Sequence, residues 1–87
     1  MRVEIRDSFI KDIKKTTREN KQKIEEVFHE FKAVNTLAEL KNVKKLKGHK
    51  HFYRIRIGDY RLGFAFENDT IILLHFLHRK DIYRFFP

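Results

Sequence analysis

Gly58-Asp59 stands between two runs, FYRIRI (52–57) and YRLGFAF (60–66), in which side-chain character alternates. A two-residue loop between such runs is a strong local signal for a β-hairpin, with glycine supplying the positive φ that the turn requires. The hairpin also sets a register, since a slip of one residue would turn every side chain to the opposite face. Ile57 then faces Tyr60, Arg56 faces Arg61, Ile55 faces Leu62 and Arg54 faces Gly63. One face reads Tyr53, Ile55, Ile57, Tyr60, Leu62, Phe64 and Phe66, the side for helices to cover. The other reads Phe52, Arg54, Arg56, Arg61, Gly63 and Ala65. The small residues there predict a shallow hollow rimmed by three guanidiniums. Opposed like charges cost stability. A single surface arginine needs no explanation, because its stem covers apolar surface. Three on one face with no acid beside them suit a phosphate backbone, with Phe52 at the edge for a base.

The rest of the chain supplies partners for that hairpin. RVEIR (2–6) alternates and suits a short strand. From Ser8, Phe9 and Ile13 share a helical face. Thr16-x-x-Glu19 is a capping-box pattern that predicts the start of a second helix. Ile24, Val27, Phe28 and Phe31 form its apolar stripe, running to about Val34. Asn35–Asn42 reads as a connector with Leu37 and Leu40 turned inward, followed by a short strand at Lys44–Lys47. Asn68-Asp69 turns the chain into Thr70–Leu77, which is apolar on both faces and predicts a covered, central strand. His78–Phe86 reads as a helical turn with Phe85 and Phe86 as anchors. The fold class is α+β: a twisted, mostly antiparallel sheet in the order β-α-α-β-β-β. Two helices pack on one face, and a short helical tail follows. Residues 1–87 form a single domain.

Charge is distributed unevenly. Residues 1–40 carry nine Lys/Arg and eight Asp/Glu, and residues 67–87 carry three of each. Residues 41–66 carry eight basic side chains against Asp59 alone, so nearly the whole net charge of +8 lies there. Mixed signs are the ordinary state of a solvated surface. Lys44, Lys45, Lys47 and Lys50 extend the basic face and, with Phe52, are candidate RNA contacts. The chain has no cysteine, which excludes disulfides and thiolate metal sites. His49-x-His51 and His75-x-x-His78 lack a cysteine or close carboxylate to complete a ligand set, so neither metal nor cofactor is expected. Parity with Leu73 turns His75 toward the core as a hydrogen-bonded interior histidine. No segment reads as a membrane helix or secretion signal, and the expected compartment is the cytoplasm. RLGFAF (61–66) has the letters of an RNA-recognition-motif strand. Phe64 and Phe66 share parity with Leu62, however, and two helices precede the main strands, so that fold is rejected.

KKLKG (44–48), FYRIRIGDYRLGF (52–64) and HRKDIYRFFP (78–87) together resemble the RelE/ParE superfamily of toxin–antitoxin toxins, on the RelE side. The likeness spans nearly the whole chain. It implies a ribosome-dependent mRNA endoribonuclease held in a hetero-oligomeric complex by a cognate RelB-like antitoxin. Carried over by motif, the two basic residues of the first hairpin strand fall on Arg54 and Arg56. The arginine of the Y-R-L element falls on Arg61, the one after the last strand on Arg79, and the C-terminal tyrosine on Tyr83. The RelE pattern has lysines where this chain has Arg54 and Arg56, and a longer spacing between its final arginine and tyrosine. ParE relatives share the fold and poison DNA gyrase, usually without this complete set.

Metal-independent RNA cleavage needs the ribose 2′-OH to attack its own phosphate in line. Charge then grows on the phosphate oxygens and on the departing 5′-oxygen. Arginines stabilise that charge as bidentate donors. They do not serve as bases, because guanidinium keeps its proton. Tyr83 is the first candidate for proton transfer, or alternatively a surface for stacking a base; His78 is the second, and Lys47 and Lys50 are further ones. Two other functions stay open: gyrase inhibition, and a basic module that occupies the ribosome without cutting. An acidic or amphipathic antitoxin segment is expected over the sheet or the helical face, drawn by the basic hollow and an exposed tail, Phe85 and Phe86.

Overall fold

The computed structural model describes residues 1–87. Strand β1 (Arg2–Ile5) leads into helix α1 (Asp7–Lys14) and the longer α2 (Arg18–Ala33). A 3-10 turn at Leu37–Glu39 precedes strands β2 (Val43–Lys45), β3 (Phe52–Ile57), β4 (Tyr60–Glu67) and β5 (Thr70–His78), and a one-turn helix α3 (Ile82–Phe85) ends the chain. The sheet order is β1-β5-β4-β3-β2. The β2–β3, β3–β4 and β4–β5 pairs are antiparallel, and β1 lies parallel to β5. The class is the expected α+β, but the element order is β-α-α-β-β-β-β, one strand more after the helices than expected, because the short β2 pairs as a full edge strand on β3. No helix is long and apolar enough to cross a membrane.

The turn chemistry accounts for the meander. Gly58 takes φ +59° as the first residue of its loop, the position that glycine fills in a II′ turn. Asn68 and Asp69 both take positive φ, as a I′ turn demands, and both residue types tolerate it. The β3–β4 register is the one read from the sequence, with Arg56 opposite Arg61 and Arg54 opposite Gly63. On the helix side, Phe9 of α1 and Ile24 and Phe31 of α2 are buried against Ile55, Leu62 and Phe64 of the hairpin. Phe31 and Phe64 meet with ring centroids 5.5 Å apart, and Tyr53 stacks on Phe64.

The helix start differs from the sequence expectation. Thr17, not Thr16, caps α2, its hydroxyl accepting from the Asn20 amide at 3.1 Å. Thr16 is still finishing α1, because its own amide donates to the Ile13 carbonyl. Thr17 is therefore the first residue free to be extended. The reciprocal box forms elsewhere, at Thr36 and Glu39, where the Glu39 carboxylate accepts the Asn35 and Thr36 amides at 2.8 Å each. These two donors hold its pKa below the ordinary 4.5.

His75 also departs from its predicted place. The β4–β5 register slips between Gly63 and Phe64: Gly63 pairs with His75, but Phe64 pairs with Leu73, leaving Leu74 as an extra residue. Such a bulge breaks the two-residue alternation. His75 thereby lies opposite Gly63, lining a cleft with Phe52 and Phe86, away from Leu73 and the main core. It is hydrogen-bonded as expected, Nδ1 to the Asp12 carboxylate at 2.8 Å. The same carboxylate accepts the Phe76 amide, and Ser8 Oγ donates to the Leu74 carbonyl. Side chains of α1 thus satisfy the edge of β5 beyond the end of β1, where an unpaired buried backbone would be costly.

A second, smaller core covers part of the opposite face. Leu46, Ile82 and Phe86 are buried together, with Phe52, Leu74 and Leu77 around them. Burying an Ile or Phe side chain of this kind stabilises by about 1.5–3 kcal/mol. Two expectations change here. Of the two tail anchors only Phe86 is buried, while Phe85 is 56 % exposed. The predicted hollow is also smaller than the sequence implied, because the Phe86 ring lies over Gly63.

Candidate nucleic-acid interface

What the tail leaves open is the arginine end of the hairpin. Arg54 and Arg56 leave β3 on the side opposite Ile55 and Ile57, and Arg61 leaves β4 directly across from Arg56. Arg61 is held in place: its Nη1 donates to the Gly58 carbonyl at 3.0 Å and the Tyr60 carbonyl at 2.9 Å. Just beyond β5, the Arg79 amide donates to the Asp59 carbonyl at 2.8 Å. That bond fastens the start of the tail to the hairpin loop and brings Arg79 close to Arg61. Tyr83, on α3, is 61 % exposed. It lines a cleft of about 470 Å³ with Arg54, Lys44, Lys45 and Lys47.

The electrostatics centre on Arg61. Its pKa is lowered by burial first, and next by the charges of Arg54 and Arg56; Arg79 adds to the lowering and Tyr83 opposes it. The guanidinium keeps its proton even so. No carboxylate relieves the crowding. The ion pairs in the chain are Lys23–Glu19 and His75–Asp12, both outside the basic face. Arg54, Arg56 and Arg61 line a second cleft of about 320 Å³ with Asn42, Val43 and Lys44. Lys44 and Arg54 line both clefts, so the two adjoin and together make up a basic basin. Each lies within the ~300–1,000 Å³ range of small-ligand clefts. Its walls are cationic and unpaired, which favours an anion with several acceptor oxygens.

Some residues singled out from the sequence are not brought to this basin. His78 pairs with Tyr60 across the strands and meets it edge-on, lining a separate cleft on the helix side with Phe76 and Asp12. It faces away from the arginines, and its Nδ1 accepts the Lys80 amide. Phe52 is not a free stacking platform, since its ring meets those of His49 and Phe86 edge-on, each at 5.6 Å. Lys50 is exposed in the loop before β3 and lines neither cleft. Asn42 and Val43 are lining residues that sequence reading passed over. The signal was faint: Asn42 sits at positive φ immediately before β2, one of the few residue types that tolerate it.

The family model described as "ParE toxin of type II toxin-antitoxin system, parDE" matches residues 3–83. The chain belongs to the RelE/ParE superfamily of toxins. Within it, the toxin is 41 % identical to Toxin RelE3 of Methanocaldococcus jannaschii, over the full length of both chains. The toxin chain also superimposes on a RelB-RelE antitoxin-toxin complex from Methanococcus jannaschii with a TM-score of 0.84 and 39 % identity, covering 97 % of this chain and 99 % of that one. An archaeal RelE-RelB complex from Pyrococcus horikoshii OT3 shares the fold, with a TM-score of 0.73 at 24 % identity over 90 % of this chain and 93 % of that one. The protein is thus a type II toxin of the RelE family.

Proposed function

We propose that the toxin cuts mRNA on the ribosome and that a RelB-like antitoxin restrains it in a hetero-oligomeric complex in the cytoplasm. One observation carries the nuclease reading. Arg54, Arg56 and Arg79 all bear on Arg61, without a neutralising carboxylate, and Tyr83 stands beside them. Such a cluster costs stability unless an anion occupies it. In the reaction, the 2′-OH gives up its proton as O2′ bonds to phosphorus. The P–O5′ bond breaks, and the 5′-oxygen takes a proton as it leaves. The products are a 2′,3′-cyclic phosphate and a free 5′-OH. Arg61, pinned by two loop carbonyls, is preorganised toward the phosphate oxygens. Arg54 and Arg56 complete a clamp around them. Tyr83 is accessible for proton transfer or for stacking a base. His78 is set aside as a proton carrier because it faces the helices. The RelB partners found with the structural relatives support an antitoxin here, and the unpaired basic face fits an acidic segment.

The test is primer-extension mapping of transcripts after the toxin is induced. Cuts phased to codons in translated messages are expected, and their loss when translation is blocked. The ParE description of the matched family supports a second reading, inhibition of DNA gyrase. Uncut transcripts together with impaired supercoiling in induced cells would favour it.

A further inference from the structure

Gly58 and Gly63 are glycines for different reasons. Gly58 needs its positive φ and has open space around it. Gly63 lies outside the left-handed region of φ, so its backbone would accept any residue, yet it is fully enclosed. A Cβ at this position would stand 2.8–2.9 Å from Cδ2, Cε2 and Cγ of Phe86, a separation that real Cβ atoms essentially never show. What Gly63 lacks is therefore the space that one aromatic ring fills.

That ring anchors the tail. Phe86 is 2 % exposed, meets Phe52 edge-on, and donates its amide to the Ile82 carbonyl, closing α3. Ile82, one helical turn earlier, is fully buried beside Leu46. Tyr83 lies between these two anchors and points out, against Arg54 and the lysines of β2 and its following loop. Gly63 itself pairs with Arg54 across the strands and is two residues from Arg61 on the same face of β4. The socket for the tail and the basic basin thus share one strand.

We propose that Gly63 is a positioning residue: by leaving room for Phe86 it seats α3 and sets Tyr83 against the arginines. The catalytic half of this inference rests on the nuclease reading; the structural half does not. A methyl group at position 63 cannot coexist with the ring, and the β4 backbone has no slack, since it is paired on both sides. The tail gives way. Tyr83 then leaves the basin while Arg54, Arg56 and Arg61 stay, so phosphate binding outlasts the chemistry.

The experiment compares the parent toxin with Gly63→Ala, Phe86→Ala, Tyr83→Ala and the double variant Gly63→Ala/Tyr83→Ala. Amide hydrogen exchange at Arg84 and Phe86 reports the tail, and single-turnover cleavage on programmed ribosomes reports the chemistry. Gly63→Ala and Phe86→Ala should each speed exchange about tenfold or more. Each should also lower the maximal cleavage rate about 10²-fold, the usual cost of a catalytic group displaced by about an ångström. The ribosome concentration for half-saturation should hold within about threefold, because the clamp is intact. Gly63→Ala/Tyr83→Ala should be no slower than Tyr83→Ala, since both act through one side chain. Unchanged exchange in Gly63→Ala overturns the proposal, as does faster exchange with an undiminished rate. If Gly63→Ala does not fold, Phe86→Ala, which adds no atom, decides by the same two measurements. A parent that cuts no mRNA fails the nuclease reading by itself, and exchange then decides whether Gly63 seats the tail.

Discussion

Counterion release makes the basin's role measurable without reference to cleavage. Arg54, Arg56 and Arg61 line the basin, Arg79 adds its charge to those acting on Arg61, and none of the four guanidiniums is paired with a carboxylate. If each neutralises one phosphate of a single strand, log affinity should fall with log salt at a slope of roughly −2.8, about −0.7 per phosphate. Raising salt from about 50 to about 200 mM would then weaken binding roughly 50-fold. Lys44, Lys45 and Lys47 line the same basin and steepen the slope further. Arg56→Ala removes one contact, so the slope should ease to roughly −2.1 and the loss to roughly 20-fold. Folding should tolerate the change, because Arg56 is exposed and its cross-strand neighbour is Arg61. The assay is fluorescence anisotropy of labelled toxin on programmed ribosomes at fixed magnesium, with Arg18→Ala on the remote α2 as control. A parent slope shallower than about −1 would refute the reasoning. So would an Arg56→Ala slope indistinguishable from that of the control.

Tyr83→Phe keeps the ring and removes the hydroxyl; if Tyr83 carries a proton, the single-turnover rate should fall about 10²–10⁴-fold. If it only stacks, Phe should be nearly silent and Ala damaging, while His78→Ala should leave cleavage intact in either case because that ring faces the helices. Thr17→Ala should cost about 1 kcal/mol in urea unfolding, and Thr16→Ala clearly less, since Thr17 alone caps α2. Glu39 is bound as the carboxylate, so its folded pKa lies below the unfolded 4.5. Its contribution is complete above that value and lost as pH falls through the folded one. Glu39→Gln should therefore lower the urea midpoint at pH ~7, and the gap from the parent should close in strong acid.

The hairpin could be read from the sequence because one glycine at one loop position determines its register. The arginine face followed from that register by alternation alone. The same alternation failed for His75, where the Leu74 bulge adds a residue that no letter announces. It would also have been needed for His78, whose position toward the helices follows from the parity of Phe76. Thr16 and Thr17 are chemically equivalent caps, and only the last carbonyl used by α1 distinguishes them. The hollow was legible as small residues at 63 and 65. Its partial filling was not, because Phe86 arrives from 23 positions along the chain, and a short run of aromatics does not say which ring turns inward.

The parallel pairing of β1 with β5 bears on how the toxin is made. Arg2 finds its neighbour only at Thr70, and the basin draws on residues from Asn42 to Tyr83, with Phe86 as its final support. Synthesis proceeds at about 5–20 residues per second from the amino end. The first strand therefore waits, unpaired, for several seconds of elongation before its partner exists. The basin likewise cannot be complete until Tyr83 and Phe86 have followed the arginines out of the exit tunnel, so its cationic wall is made well before its final support. A chain stopped after His78 would keep Arg54, Arg56 and Arg61 but lack Arg79, Tyr83 and Phe86, so under the nuclease reading it should still bind programmed ribosomes yet cut far more slowly than the parent.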